Sequence, residues 1–215
     1  MALPRPRAHW TPRYVRDRIR LALWQRANPG APWLTADAVS ALTTLLRPTD
    51  VLVEFGSGRS TAWFARRLSA GRVVSVEHHA EWFAKVQGDL RAAGLGNVVY
   101  RQAPQDASGY VAAAEAALAE ASPDGRADVI LNDGIVRDAV AAWSLGKVRP
   151  GGMIIVDNVQ RYLPCESGSP AAIGPSARPI NADWQAFADA TVGWRQLWTQ
   201  NGIENTAFFF APPTG

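Results

Sequence analysis

Eight consecutive residues, Glu54-Phe55-Gly56-Ser57-Gly58-Arg59-Ser60-Thr61, place an acid, two glycines and three hydroxyls where an apolar run gives way to a helical one. A strand that breaks at glycines and restarts as a helix lets a ligand approach backbone closely. Glycine carries no Cβ, and the first N–H groups of the helix are unpaired. Dinucleotide-binding folds use G-x-G-x-x-G at this place, around a pyrophosphate. Here Thr61 stands at the third glycine position, and Glu54 lies two residues before Gly56. An acid there suits a ligand with a cationic end better than one with a pyrophosphate.

A second apolar run, Val73-Val74-Ser75-Val76, ends in Glu77-His78-His79. Glu77 falls nineteen residues after Gly58, where a carboxylate can accept both hydroxyls of a ribose. His78 is placed to contact a cofactor and to titrate near neutrality. Dinucleotide enzymes share this arrangement, so a nicotinamide-dependent oxidoreductase is the alternative from another reaction class.

Five stretches, VLVEFGSGRST, VVSVEHHAEWF, NVVYRQAPQDA, DVILNDG and VRPGGMIIVDN, follow one another over about residues 50–160. In order and spacing they resemble the class I S-adenosylmethionine (SAM)-dependent methyltransferases, whose last motif is a K-P-G-G turn before a strand ending in aspartate. The resemblance implies methyl transfer from SAM to an oxygen or nitrogen of a small-molecule acceptor. It assigns the methionine end of SAM to Glu54, Gly56, Ser57, Gly58 and Ser60. Glu77 would take the ribose with His78 beside it, and Ala103 and Gln105 would border adenine. Asp133 would sit beneath the methyl group, facing the acceptor. A SAM-binding module without catalysis is a further alternative.

LNDGIVRDAV and VDNVQRYL also resemble a bacterial subgroup with D-G-x-x-R after the fourth strand and D-N-x-x-R after the fifth. Here these residues are Asp133, Gly134, Arg137 and Asp157, Asn158, Arg161. Asp133, Asp157 and Arg137 are therefore the candidate catalytic residues, the arginines gripping an acidic substrate group or pairing with a neighbouring acid. Asp133, Asp157 and Asn158 further resemble the metal set of catechol-type O-methyltransferases, which implies Mg or Ca held by oxygen ligands. The chain departs from that family at Val136, where it places a lysine base.

The elements that must position these residues read from hydrophobic period. Strands are expected at 51–55, 73–77, 98–101, 128–132 and 153–157, with helices at 61–68, 82–93, 110–121 and 138–145 between them. Repeated βα units predict an α/β, Rossmann-like sheet. A hairpin of strands 194–198 and 206–210 makes it mostly parallel, with an antiparallel last strand. Helices at 14–26 and 35–46 precede the first strand. Residues 1–48 are thus expected as an N-terminal helical layer of the same domain as the cofactor-binding 49–215. The Pro-, Gly- and Ser-rich segment 161–183 reads as a lid or binding loop, and Asp183 as the cap of a helix reaching 190.

The chain has 215 residues, 47% of them hydrophobic and 19% charged, which suits a globular domain. Its basic character is concentrated at the start: residues 1–30 hold seven arginines, Arg5 and Arg7 among them, against Asp17 alone. That arm reads as a solvated helix face, and a nucleic-acid partner is not expected, because no aromatic-basic pattern accompanies it. A single cysteine, Cys165, excludes an internal disulfide. With no signal-like or spanning apolar run, no membrane partner is expected and the location is expected to be cytoplasmic. A homo-oligomer stays open.

Overall fold

A computed structural model describes residues 10–213; Arg5, Arg7 and the last two residues lie outside the described residues. Thr11 opens α1 (Pro12–Ala27), its hydroxyl accepting from the Tyr14 N–H with Pro12 at the first helical position. Proline suits that position because its missing N–H would be unpaired there anyway. Thr35 caps α2 (Ala36–Leu45), as its place in the sequence predicts.

Strand and helix then alternate. They run β1 (Val51–Phe55), α3 (Arg59–Arg67), β2 (Arg72–Glu77), α4 (Ala80–Ala92), β3 (Val98–Gln102), α5 (Ala107–Ala121), β4 (Ala127–Asn132), α6 (Arg137–Lys147) and β5 (Val148–Asp157). A 3-10 turn (Val159–Arg161), α7 (Ala182–Thr191), β6 (Arg195–Gln200) and β7 (Asn205–Phe210) follow. The seven strands form one sheet in the order β3-β2-β1-β4-β5-β7-β6. β7 is antiparallel to both its neighbours, and the other described pairings are parallel. The expected Rossmann-like sheet with an antiparallel last strand is therefore present. The helix expected from Asp183 is capped by Asn181 instead, whose side chain accepts from the Trp184 N–H.

The strands bury both faces. Val53, Phe55, Val74, Val76, Ile130, Ile154 and Phe209 turn towards α5, α6 and α7. Their alternates Leu52, Val73, Val129, Leu131, Ile155 and Phe208 meet α2 and α3. That period of two is why the strands read as continuous apolar runs. The order also fixes where ligands go. β1 and β4 lie side by side, and their outgoing chains leave in opposite directions, opening a crevice at the carboxyl edge.

Two features tie distant parts of the chain to this edge. Asp17 of α1 is buried against the β6–β7 turn, where a Cβ on Gly202 would come within 2.4 Å of its carboxylate. Thr35 donates its N–H to Thr206 Oγ1 (3.4 Å) and meets Thr199 Oγ1 at 2.5 Å, while Thr206 donates to Asp157 Oδ1 at 2.7 Å. The segment expected as a lid is pinned down: Ser169 donates to the Ile203 carbonyl, Ile173 N–H to the Gln160 carbonyl, and Ile180 N–H to the Tyr162 carbonyl. Among the described residues no helix is long and apolar enough to cross a membrane.

Candidate functional site

At the carboxyl edge a cavity of about 620 Å3 is walled by Gly56, Ser57, Gly58, Ser60, Glu77, His78, Asp133 and Gly134. Its outer rim comes from Trp33 before α2 and from Trp82 on α4. Most of the residues expected from the sequence to hold a cofactor thus share one cavity. Glu54, Ala103 and Gln105 are not among its lining residues: Glu54 and Ala103 are buried, the latter with its N–H on the Glu77 carbonyl, and Gln105 is exposed.

The floor is the turn after β1. Gly56 has φ +91°, and a Cβ there would lie 2.9 Å from both the Asp133 carbonyl oxygen and the Gly134 Cα. The turn passes so close to the end of β4 that only glycine fits. Beneath it Glu54 is fully buried. Its Oε2 accepts from Thr61 Oγ1 at 2.5 Å and Ser75 Oγ at 2.8 Å, while Thr61 Oγ1 accepts the Gly58 N–H at 3.0 Å. Thr61, in the place of a third glycine, therefore braces the turn against the acid. The other oxygen, Oε1, has no hydrogen-bond partner. A buried, half-satisfied carboxylate is costly. Burial pushes Glu54 up to about 7, against the lowering effect of Ser60, Thr61 and Ser75.

Glu77 at the end of β2 is engaged on both oxygens. Oε1 accepts the N–H groups of His78 and His79 at 2.9 and 2.8 Å; Oε2 accepts Ser57 N–H and Oγ at 3.2 and 3.0 Å. The His78 ring lies on the cavity wall, its Nδ1 3.1 Å from Glu77 Oε1. His79 instead caps α4, its Nδ1 accepting from the Trp82 N–H.

On the far side of the crevice Arg137 spends its guanidinium on the protein. Nε donates to the Gly134 carbonyl (3.0 Å), Nη1 to the Asp157 carbonyl (2.5 Å), and Nη2 to the Asp133 carbonyl (3.0 Å) and Oδ1 (2.7 Å). It clamps the ends of β4 and β5 together, and its acid partner is Asp133. Arg161 is exposed on the surface. Burial pushes Asp133 up to about 6 in spite of Arg137. Burial, then the Asp133 charge, pushes Asp157 well above the usual carboxylate range. Val136 and Asn158, which follow these strand ends, sit at φ +43° and +51°, in the left-handed region. A β-branched residue there is strained, and such strain concentrates at functional sites.

Residues 53–159 match the family model described as a methyltransferase domain. The chain belongs to the class I SAM-dependent methyltransferase family. No curated protein matches its sequence. Among solved structures, a Staphylococcus aureus protein provisionally described as a caffeoyl-CoA O-methyltransferase is 15% identical, with 90% of this chain and 91% of that one covered at a TM-score of 0.59. An O-methyltransferase family protein from Burkholderia thailandensis is 14% identical at a TM-score of 0.52; the match covers 94% of this chain but only 63% of that one. The fibrillarin pre-rRNA processing protein of Methanococcus jannaschii is 10% identical at 0.51, covering 78% and 69%. At such identities the likeness is one of fold.

The methyltransferase has a seat that fits SAM. Gly56 leaves no room for a Cβ, and beneath the turn, behind the cavity wall, stands the buried Glu54 with its Oε1 unpartnered, an acid matched in charge to a cationic ammonium. A metal does not fit the residues expected to hold one. Asp133 is ion-paired with Arg137, and Asp157 is 3% exposed with its oxygens taken by Thr206 and the Asn158 side-chain amide. A cation there would face a guanidinium. Among the described residues no three His, Cys, Asp or Glu side chains are grouped to hold an ion.

Two contributors escaped the sequence reading. Tyr100 on β3 meets Ser57 Oγ at 2.6 Å, and Trp82 Nε1 donates to the Ser57 carbonyl at 2.8 Å. Both hold the turn from outside the motif, and no local spacing marks them. For Arg137 the expected result of Arg137→Ala is a loss of about 2–4 kcal/mol in denaturant unfolding, because three carbonyls and Asp133 lose a buried partner. A loss below ~0.5 kcal/mol would show that the clamp is ornamental.

Proposed function

We propose that this methyltransferase moves the methyl group of SAM to an oxygen or nitrogen of a small-molecule acceptor, with Asp133 receiving the acceptor's proton. The observation that carries this reading is Asp133 on the cavity wall, its carboxyl pushed up to about 6. A base poised just below neutrality is largely ionised at pH 7 and still basic enough to take a proton in the transition state.

SAM supplies an electrophilic methyl group on a cationic sulfonium, so the protein's work is alignment. Gly56, Ser57, Gly58 and Ser60 would seat the methionine end, with Glu54 matching its ammonium. Glu77 would receive the ribose, exchanging its Ser57 contacts for ribose hydroxyls, with His78 at the wall. Ala103 and Gln105, in the loop that follows β3, would border adenine only where the cofactor extends past the cavity's rim. Arg137 and Asp157 would act by position, holding Asp133 on the edge. The 1–48 layer and 49–215 would work as one domain, and a single cysteine suits a reducing cytoplasm.

Glu54 makes cofactor binding depend on pH. Its folded pKa is raised, so its contribution to stability is present below the unfolded value and lost as pH rises through about 7. SAM's ammonium prefers the charged form, so affinity changes in the opposite direction. Calorimetry should find SAM binding about tenfold tighter at pH 8 than at pH 6, with the slope absent in Glu54→Gln. An equal slope in the variant would remove Glu54 from this role.

The direct test is transfer of the labelled methyl group from SAM to a panel of phenols, carboxylates and amines, with and without EDTA. Transfer unaffected by EDTA is expected. Loss of transfer on chelation with recovery on adding Mg would refute the metal-free base, and tight SAM binding with no transfer to any acceptor would favour a binding module. Reduction of a nicotinamide cofactor in place of methyl transfer would favour the oxidoreductase.

A further inference from the structure

The helix α1 touches the rest of the protein with one face and shows solvent an apolar one. Inward it buries Asp17 and Leu21. Outward, Val15, Ile19 and Leu23 follow one another at helical spacing and are 43%, 55% and 63% exposed, with Trp10 at 61% just before the helix. Grooves of about 650 and 550 Å3 run along this ridge, both bordered by Trp10, Val15 and Ile19. Among the described residues nothing covers it.

Arginines surround the ridge: Arg13, Arg16, Arg18, Arg20 and Arg26. The acids that answer them are few. Asp17 pairs with Arg13 and Arg16 from its buried position, and Glu204 interacts with Arg18 across the first groove. Arg20 and Arg26 have no ion-pair partner among the described residues. An exposed aliphatic ridge between guanidinium groups, with a tryptophan at one end, has the composition of a helix lying in a lipid interface. Aliphatic side chains enter the acyl boundary, the indole stays at headgroup level, and the arginines meet lipid phosphates.

Against the sequence expectation of no membrane partner, which rests on the lack of a spanning run, we propose that α1 docks this methyltransferase on the face of an anionic lipid surface. A second copy of the chain matches the ridge poorly, since pairing α1 with α1 sets five arginines against five. A nucleic acid would use the arginines and leave Val15, Ile19 and Leu23 uncovered, because phosphate contacts give aliphatic side chains nothing. An anionic bilayer satisfies both features at once. The location also leaves the cofactor cavity free, because that cavity takes no lining residue from α1.

The test is cosedimentation of the full chain with vesicles of phosphatidylcholine alone and of phosphatidylcholine with about one-quarter phosphatidylglycerol. The chain is expected to sediment with the anionic vesicles only, and to be released in ~1 M salt, where charges are screened beyond a few ångströms. The double variant Ile19→Glu/Leu23→Glu should lower the bound fraction at least about tenfold, and Arg20→Glu/Arg26→Glu should do the same. These positions are solvent-facing, so circular dichroism melting and SAM affinity should match the wild type. No binding to anionic vesicles, equal binding to neutral ones, or binding that both variants retain would overturn the proposal. So would a wild-type dimer in light scattering that Ile19→Glu/Leu23→Glu turns into a monomer. None of these readouts involves a methyl acceptor, so they stand apart from the reading of the active site.

Discussion

Gly56→Ala is expected to weaken SAM binding by at least about 100-fold and to lower the melting temperature. The backbone there has φ +91°, and an added Cβ would press on the Asp133 carbonyl and the Gly134 Cα at 2.9 Å. A non-glycine residue forced into such a region costs on the order of 1–3 kcal/mol. Backbone, unlike the end of a flexible side chain, cannot step aside. Relief must come from moving the turn away from β4, which displaces Ser57 and Gly58 from the cavity wall. Gly58→Ala supplies the contrast, because a Cβ at Gly58 meets only the Trp82 ring, at 3.9 Å. Its melting temperature should stay near the wild type even if binding falls. Calorimetry with SAM and thermal melts of both variants decide the matter. Equal melting losses in the two would mean the crowding against β4 is not what makes Gly56 necessary.

Asp133→Asn is expected to lower kcat by about 10²- to 10⁴-fold, the usual contribution of a positioned general base. The pH profile is the sharper readout. Asp133 must be ionised to take a proton, so wild-type kcat should rise as pH passes through about 6 and level off above it. Stability should move the other way. A carboxyl raised from 3.8 to about 6 contributes stability below 3.8 that is lost as pH climbs through about 6. In Asp133→Asn the acidic limb of the rate profile should vanish, and the loss of stability with rising pH should shrink to what Glu54 and Asp157 contribute, with SAM affinity nearly unchanged. A surviving acidic limb in the variant's rate profile would assign the proton to another group.

Much of this arrangement was legible because local chemistry fixed it. β1 begins and ends where the apolar run Val51–Phe55 does, since the glycine turn leaves no alternative. Thr35 was readable as a cap because its hydroxyl has one obvious donor within reach. Legibility failed where the decisive partner is remote in sequence. β5 starts at Val148, earlier than its apolar run, because Val148 pairs with Ala127 of β4 before an irregularity carries the register on to Met153 opposite Val129. Asn181 outcompeted Asp183 as a cap by two residues, a choice that turns on how the pinned segment arrives. Arg137 was readable as a charge beside the crevice, but not as the clamp that it is, because its carbonyl partners carry no sequence mark. The catechol-type ligand set failed for the same reason. Asp133, Asp157 and Asn158 have the right chemical types, yet Arg137 and Thr206 had already claimed the carboxylates.

The hydroxyl chain from Thr35 through Thr206 to Asp157 has a consequence for the order in which the protein is made. Thr35 and its partners Thr206 and Thr199 are separated by 171 and 164 positions, so the contacts close a loop spanning most of the chain. On the ribosome every βα unit through β5 can emerge and pack before β7 exists. Before residues 205–210 pair with β5, Asp157 lacks its Thr206 hydroxyl donor and the strand that covers its side, and a carboxylate not yet buried ionises at ordinary acidity. Insertion of the last strand is then the event that buries the charge beside Asp133 and Arg137. A nascent chain can own the glycine turn early, but the surroundings of Asp157 are complete only when its final strand arrives.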